Sequence, residues 1–244
     1  DSPKVLLRVK LRQVSGMYHM PATGQSGFDL YVGGPLKQRY LATARFSAQA
    51  RDYEVTLLNS AKSMRNFTLN FPLYNGVESV EVGVAAGATI APPLPYVEDG
   101  PIVVYGTSIT QGGCAARPGM AYTNILSRRL NREFVNLGFS GNGRGEPALA
   151  KLINQIDRKK LIVLDYEANA GESIRQTLGP FVDLLRVQDK DIPILIISKI
   201  RYAGELFGRP QLAAVQARAK FQADLVNARR AGGDANIHFL DVGT

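Results

Sequence analysis

Near residue 100 the hydrophobic pattern of this chain changes its period, and that change restricts the fold more than any other feature. Up to about residue 95, apolar residues recur at every second position. The sets are Val5, Leu7, Val9 and Leu11; Phe28, Leu30 and Val32; Tyr53, Val55 and Leu57; Phe67, Leu69 and Phe71; and Val80, Val82 and Val84. Period two marks strands with one buried face. Turn signals separate the sets, among them Gly24, Gly33-Gly34-Pro35, Asn59-Ser60, Asn75-Gly76 and Gly87. Short strands at this spacing predict an antiparallel β-sandwich over residues 1–95, with no helix. Ala91-Pro92-Pro93-Leu94-Pro95 then reads as an extended linker.

Beyond it, over residues 96–244, short apolar runs alternate with helical patterns. Strands are expected at 102–105, 133–137, 161–166, 193–198 and 237–240, and helices near 119–131, 146–157 and 173–187. A long Ala-rich helix precedes Gly232-Gly233, with Arg229 and Arg230 at its finish, where cations suit the helix dipole. Strands alternating with helices imply right-handed crossovers and a parallel sheet covered on both faces. Five such strands predict a flavodoxin-like three-layer α/β domain.

Composition narrows the function classes. With 45% hydrophobic and 20% charged residues the chain has the balance of a globular protein, and no apolar run approaches the ~20 residues needed to span a bilayer. The net charge of +8 invites a polyanionic partner. However, Lys4, Arg8, Lys10 and Arg12 alternate with Val5, Leu7, Val9 and Leu11, which is the wet face of a strand. No basic run interleaved with aromatics points to nucleic acid. The single cysteine, Cys114, excludes an internal disulfide. No His/Cys/carboxylate cluster has ligand spacing, so no metal or organic cofactor is implied.

Three strand ends in the second part carry polar or glycine-rich loops: Gly106-Thr107-Ser108, the stretch Asn136 to Gly143, and Asp165-Tyr166-Glu167-Ala168-Asn169. In a parallel sheet all three emerge on one edge, where open α/β sheets place their sites. Acyl transfer needs a nucleophile and donors for the developing oxyanion. Ser108, backbone N–H groups at Ser108 and a loop glycine, and the Asn169 amide meet that need. The plainer readings are that Thr107 and Ser108 satisfy backbone groups at the strand end, and that Asn169 caps a helix. Gly106 to Gly113 is no phosphate loop, since no Gly-Lys-Ser/Thr follows, and Gly141-x-Gly143-x-Gly145 is a weak imitation of a dinucleotide fingerprint.

In these blocks the chain resembles the SGNH, or GDSL-type, ester hydrolases. Gly106-Thr107-Ser108-Ile109 matches the first block, and the resemblance makes Ser108 the nucleophile. Asn136 to Gly141 matches the second, with Gly141 as an oxyanion donor, and Tyr166 to Ala170 the third, with Asn169 as the other. Thr107 stands where the first block usually has Asp. The order sandwich, Pro-rich linker, hydrolase is similar to carbohydrate esterases of this type that carry a jelly-roll domain in front. A small-molecule or saccharide acyl ester, with acetyl as the favoured group, is therefore the expected substrate.

The family's Asp-x-x-His pair after the last strand has no counterpart up to Asp241-Val242-Gly243-Thr244. Of the two histidines, His238 falls in the last strand and His19 in a loop of the sandwich part. The expectation is a chain trimmed from a longer protein whose Asp and His follow Thr244. An acyltransferase using the same acyl-enzyme, or a glycan-binding protein with a degenerate hydrolase domain, remain the alternatives.

Overall fold

The computed structural model describes residues 1–207 and 209–243. By density of contacts the chain forms two compact units, Asp1–Glu98 with Gly112–Arg132, and Asp99–Gln111 with Glu133–Thr244.

The first unit begins with β1 (Lys4–Leu11), the four-residue helix α1 (Ala22–Gln25), β2 (Asp29–Val32), β3 (Arg39–Thr43), β4 (Asp52–Asn59), β5 (Phe67–Asn70) and β6 (Val77–Val84). The strands form two antiparallel sheets, in the orders β4-β1-β6 and β3-β2-β5. Their shared core takes Val5, Leu7, Val9 and Leu11 from β1, with Phe28, Leu30, Ala44 and Leu57. On the opposite face of β1, Arg8 lies between Glu54 and Glu81 of the flanking strands, 2.9 Å from each. The basic alternation of β1 is thus answered by acids across the sheet, in exposed pairs that water screens. Helix α1 and strand β3 are absent from the period-two pattern. The first is a single turn, and the second is a largely exposed edge strand with no apolar alternation.

The chain enters the second unit with β7 (Ile102–Gly106) and α2 (Ser108–Gln111). It returns to the first for Gly112–Arg132, which holds a 3₁₀ turn at Pro118–Met120 and α3 (Tyr122–Leu130). Asp29 explains that grouping. Its buried carboxylate accepts hydrogen bonds from Gly119 N at 2.9 Å and Asn70 Nδ2 at 2.8 Å. Arg128 lies 4.0 Å over the Tyr31 ring and donates to Gly119 O at 2.6 Å. A Cβ on Gly119 would sit 2.8 Å from Asp29 Oδ2 and 2.5 Å from the Tyr31 ring, so only glycine lets the strip approach. Burial pushes the Asp29 carboxyl up, against the Asn70 and Gly119 bonds and the charges of Arg117 and Arg128.

The second unit continues with β8 (Phe134–Gly138), α4 (Pro147–Asn154), β9 (Leu161–Asp165), α5 (Glu167–Ala170), α6 (Ile174–Gln188), β10 (Ile194–Ile197), α7 (Ala203–Phe207), α8 (Arg209–Ala231) and β11 (Ile237–Leu240). The five strands pair in parallel in the order β11-β10-β9-β7-β8. This is the flavodoxin-like arrangement, whose order reverses between β7 and β9. Val103, Tyr105, Ile162, Leu164, Ile194, Ile196 and Ile237 from the sheet pack with Ile153, Leu178, Phe181, Leu185 and Val226 from the helices. At the amino edge of the sheet, Arg186 holds Asp234 with two bonds of 2.9 Å and donates to Ile192 O. Among the described residues no helix is long and apolar enough to cross a membrane.

Candidate active site

The switch point of such a sheet opens beyond the carboxyl ends of β7 and β9, and the loops carrying Ser108 and Asn169 follow those two strands. Ser108 is half-buried and begins α2. Thr107, 1% exposed, accepts the Ile109 N–H on its Oγ1 at 3.3 Å, so the plainer reading holds for this residue.

A side-chain bond ties α2 to the sheet. Thr110 Oγ1 donates to Asp165 Oδ2 at the end of β9, at 2.8 Å. Gly106 makes room for it: a Cβ there would lie 2.6 Å from Asp165 O and 2.8 Å from Thr110 Cβ. The Asn136–Gly143 loop is tied to the same turn. Phe139 N donates to Gly106 O at 3.0 Å, and Ser140 N to Gln111 Oε1 at 2.9 Å. The loop closes with Gly141, Gly143 and Gly145 at φ of +72°, +69° and +91°. The G-x-G-x-G spacing therefore serves left-handed backbone, which glycine adopts without Cβ strain. Nothing lies within 4 Å of a Cβ placed on Gly141, which faces open space.

Asn169 reaches this loop from α5. Its Nδ2 donates to Asn142 O and, at 3.4 Å, to Phe139 O. It lies inside its helical turn and caps no helix. The structure thus joins Asn169 to the loop that holds Gly141, and joins that loop to the turn headed by Ser108.

Buried aromatic side chains support the floor. The Tyr105 hydroxyl donates to Glu146 and accepts from Gly145 N at 2.9 Å, and its ring stacks on Phe181 at 5.0 Å. Burial, then the Glu146 bond, pushes the Tyr105 phenol far above its ordinary value, so it stays a donor. Burial alone would raise the Glu146 carboxyl. The Tyr105 hydroxyl and the N–H groups of Glu146, Arg144 and Gly143 outweigh it and hold Glu146 below its ordinary 4.5.

His238 stands elsewhere. It is exposed on β11, in register with Leu195 of β10, while Ser108 follows β7. Strands β11 and β7 are three spacings apart, roughly 14 Å at about 4.8 Å each. Among the described residues no three His, Cys, Asp or Glu side chains are placed to share a metal ion.

Residues 99–244 match the model of the GDSL-like lipase/acylhydrolase family. The chain belongs to that family. Residues 1–90 match a model for the N-terminus of SGNH-hydrolase-type esterases, named for a GxDLY motif that stands here as Gly27-Phe28-Asp29-Leu30-Tyr31. Asp29, the buried carboxylate that receives Gly119, is the central residue of that motif; the sequence reading missed it because Phe28, Leu30 and Val32 already explained the strand. A GDSL-like lipase structure from Bacteroides ovatus shares 29% identity and a TM-score of 0.89, over 100% of this chain and 73% of that one. A salicylyl-acyltransferase from a tetracycline biosynthetic pathway is similar in fold at 21% identity and a TM-score of 0.70, over 99% of this chain and 67% of its own. So is a family two carbohydrate esterase from Clostridium thermocellum in complex with cellohexaose, at 14% and 0.66, over 99% and 79%. No curated protein matches this chain. The GDSL-like acylhydrolase assignment agrees with the fold class expected from the sequence, an antiparallel sandwich ahead of a parallel five-stranded α/β sheet.

Proposed function

We propose that this GDSL-like acylhydrolase is a serine esterase acting on small acyl esters, with acetyl groups on a saccharide as the favoured substrate. Ser108 Oγ attacks the acyl carbonyl, and the oxyanion accepts hydrogen bonds from Ser108 N–H, Gly141 N–H and Asn169 Nδ2–H. The observation that supports this most is the bonding of Asn169 Nδ2 to the Phe139–Asn142 loop. Asn169 can give up the longer bond, to Phe139 O, and turn that proton to the oxyanion. The ester C–O bond then breaks, the alcohol leaves with a proton, and water hydrolyses the acyl-Ser108 bond. A general base must take the Ser108 proton, and His238, three strands away, is not that base.

The carbohydrate esterase fold similarity supports a saccharide carrier, and the proposed domains are a sandwich, 1–95, and a hydrolase, 96–244, whose Gly112–Arg132 strip groups with the first unit. The acyltransferase fold similarity favours a second reading, in which an alcohol intercepts the acyl-enzyme. Product analysis with and without an acceptor alcohol separates the two. Treatment with an organophosphonate should modify Ser108, and Ser108→Ala should lower kcat at least ~10³-fold. Modification elsewhere with Ser108 untouched refutes the assignment, and binding of a glycan without turnover points to a degenerate site.

A further inference from the structure

Glu167 is a buried carboxylate, 1% exposed, with no part in the acyl-transfer steps above. It opens α5 two residues ahead of Asn169. Its Oε2 accepts hydrogen bonds from the Lys199 backbone N–H at 2.8 Å and from Gln222 Nε2 at 2.7 Å. Its Oε1 accepts from Arg218 Nε at 3.0 Å. The donors come from the loop after β10 and from α8, so separate parts of the chain converge on one helical turn. Arg218 also spans to Glu172 just beyond that turn, at 2.8 Å.

A four-residue helix has too few internal bonds to hold its own orientation. Here those bonds are Asn169 N and Ala170 N to Tyr166 O, at 3.2 and 3.1 Å, and Gly171 N to Glu167 O. A buried carboxylate is a poor way to gain stability, because its desolvation offsets most of the attraction, whereas an apolar side chain would pack without that penalty. What the carboxylate does provide is direction, since its acceptor sites fix the turn against fixed donors.

We propose that Glu167 is a positioning residue, which orients α5 so that Asn169 Nδ2 stays on the Phe139–Asn142 loop and faces the reacting carbonyl. This rests on the Ser108–Asn169 reading given above. Misplacing a catalytic group by about 1 Å can cost ~10²-fold in rate, and loosening the α5 turn is a displacement of that kind.

The experiment uses the full chain and three variants, Glu167→Gln, Asn169→Ala and their combination. Glu167→Gln keeps size and one acceptor but turns an amide donor toward Gln222 or Arg218. Its kcat for p-nitrophenyl acetate, per folded molecule, should fall about 10- to 100-fold with KM nearly unchanged. The double variant should be no slower than Asn169→Ala alone, because the two residues act through one donor. In ¹H–¹⁵N spectra the Asn169 side-chain amide should shift and exchange faster in Glu167→Gln. Arg186→Ala, which breaks the partly buried pair with Asp234 at the amino edge of the sheet, should lower Tm and leave kcat per folded molecule intact. Losses that multiply in the double variant, or an Asn169 amide signal that Glu167→Gln leaves in place, overturn the proposal. If Asn169→Ala leaves kcat unchanged, the active-site reading fails instead, and the amide signal alone then decides whether Glu167 orients Asn169.

Discussion

Two glycines of one loop, at nearly the same backbone angle, separate two kinds of penalty. Gly141 has φ +72° and Gly143 has φ +69°, so alanine at either position meets the same left-handed strain, about 1–2 kcal/mol. Their surroundings differ. A Cβ on Gly141 meets nothing within 4 Å. A Cβ on Gly143 would stand 3.0 Å from the Gly106 carbonyl carbon and press into its oxygen, which also accepts the Phe139 N–H. Relieving that overlap adds about 1–3 kcal/mol of overpacking, and losing the Phe139 bond about 1 kcal/mol more. Gly141→Ala should therefore cost about 1–2 kcal/mol, and Gly143→Ala about 3–6 kcal/mol. At about 2–4 °C per kcal/mol for a chain of this size, the variants should melt several degrees apart. Activity should divide the same way. Gly141→Ala keeps its N–H and most of its kcat, whereas Gly143→Ala drives the loop from Gly106 and loses kcat. Urea titration with kcat per folded molecule is the assay. Equal destabilisation, or Gly141→Ala the worse of the two, would refute the reasoning.

Other expectations follow from the same contacts. Tyr105→Phe removes a hydroxyl bond that helps hold the Glu146 carboxyl below 4.5. A depressed acid stabilises the fold above its ordinary value and loses that contribution as pH falls through the folded value. The variant should therefore be least stable relative to wild type above pH 4.5, with the gap closing at lower pH in urea melts. Asp29 behaves oppositely, because burial raises its carboxyl above 3.8. Its contribution is complete below 3.8 and lost as pH rises through the folded value, so Asp29→Asn should gain on wild type across that window; a gap moving the other way refutes it. Thr110→Val deletes the hydroxyl that donates to Asp165 and should cost about 1–3 kcal/mol and lower kcat. Thr110→Ser should restore both.

Legibility in the sequence followed how local each cause was. Strand β11 occupies 237–240 as its apolar run predicts, because a strand between glycine-rich and polar segments has few alternatives. Strand β3 was invisible because RYLAT lies on an exposed edge, where nothing selects apolar alternation. Asp29 shows the limit of the pattern itself. Period two puts it on the wet face, yet β2 is the middle strand of its sheet and the Gly112–Arg132 strip covers that face. The three glycines of the second loop were visible as a spacing, but their reason, positive φ, was not. Glu167 was legible only as one letter of a motif, since its donors lie 32 to 55 residues away in the chain.

The Gly112–Arg132 strip also bears on heredity. The first compact unit is written in two separated stretches of the chain, Asp1–Glu98 and Gly112–Arg132, with the Ser108 turn between them in sequence. A crossover at residue 98 that exchanged only the leading stretch would deliver an Asp29 to a strip that evolved with another lineage's strand. Gly119 and Arg128 must travel with Asp29, so recombination among relatives should preserve that triple as a block. Chimeras that honour it should fold where those joined at the proline-rich stretch fail.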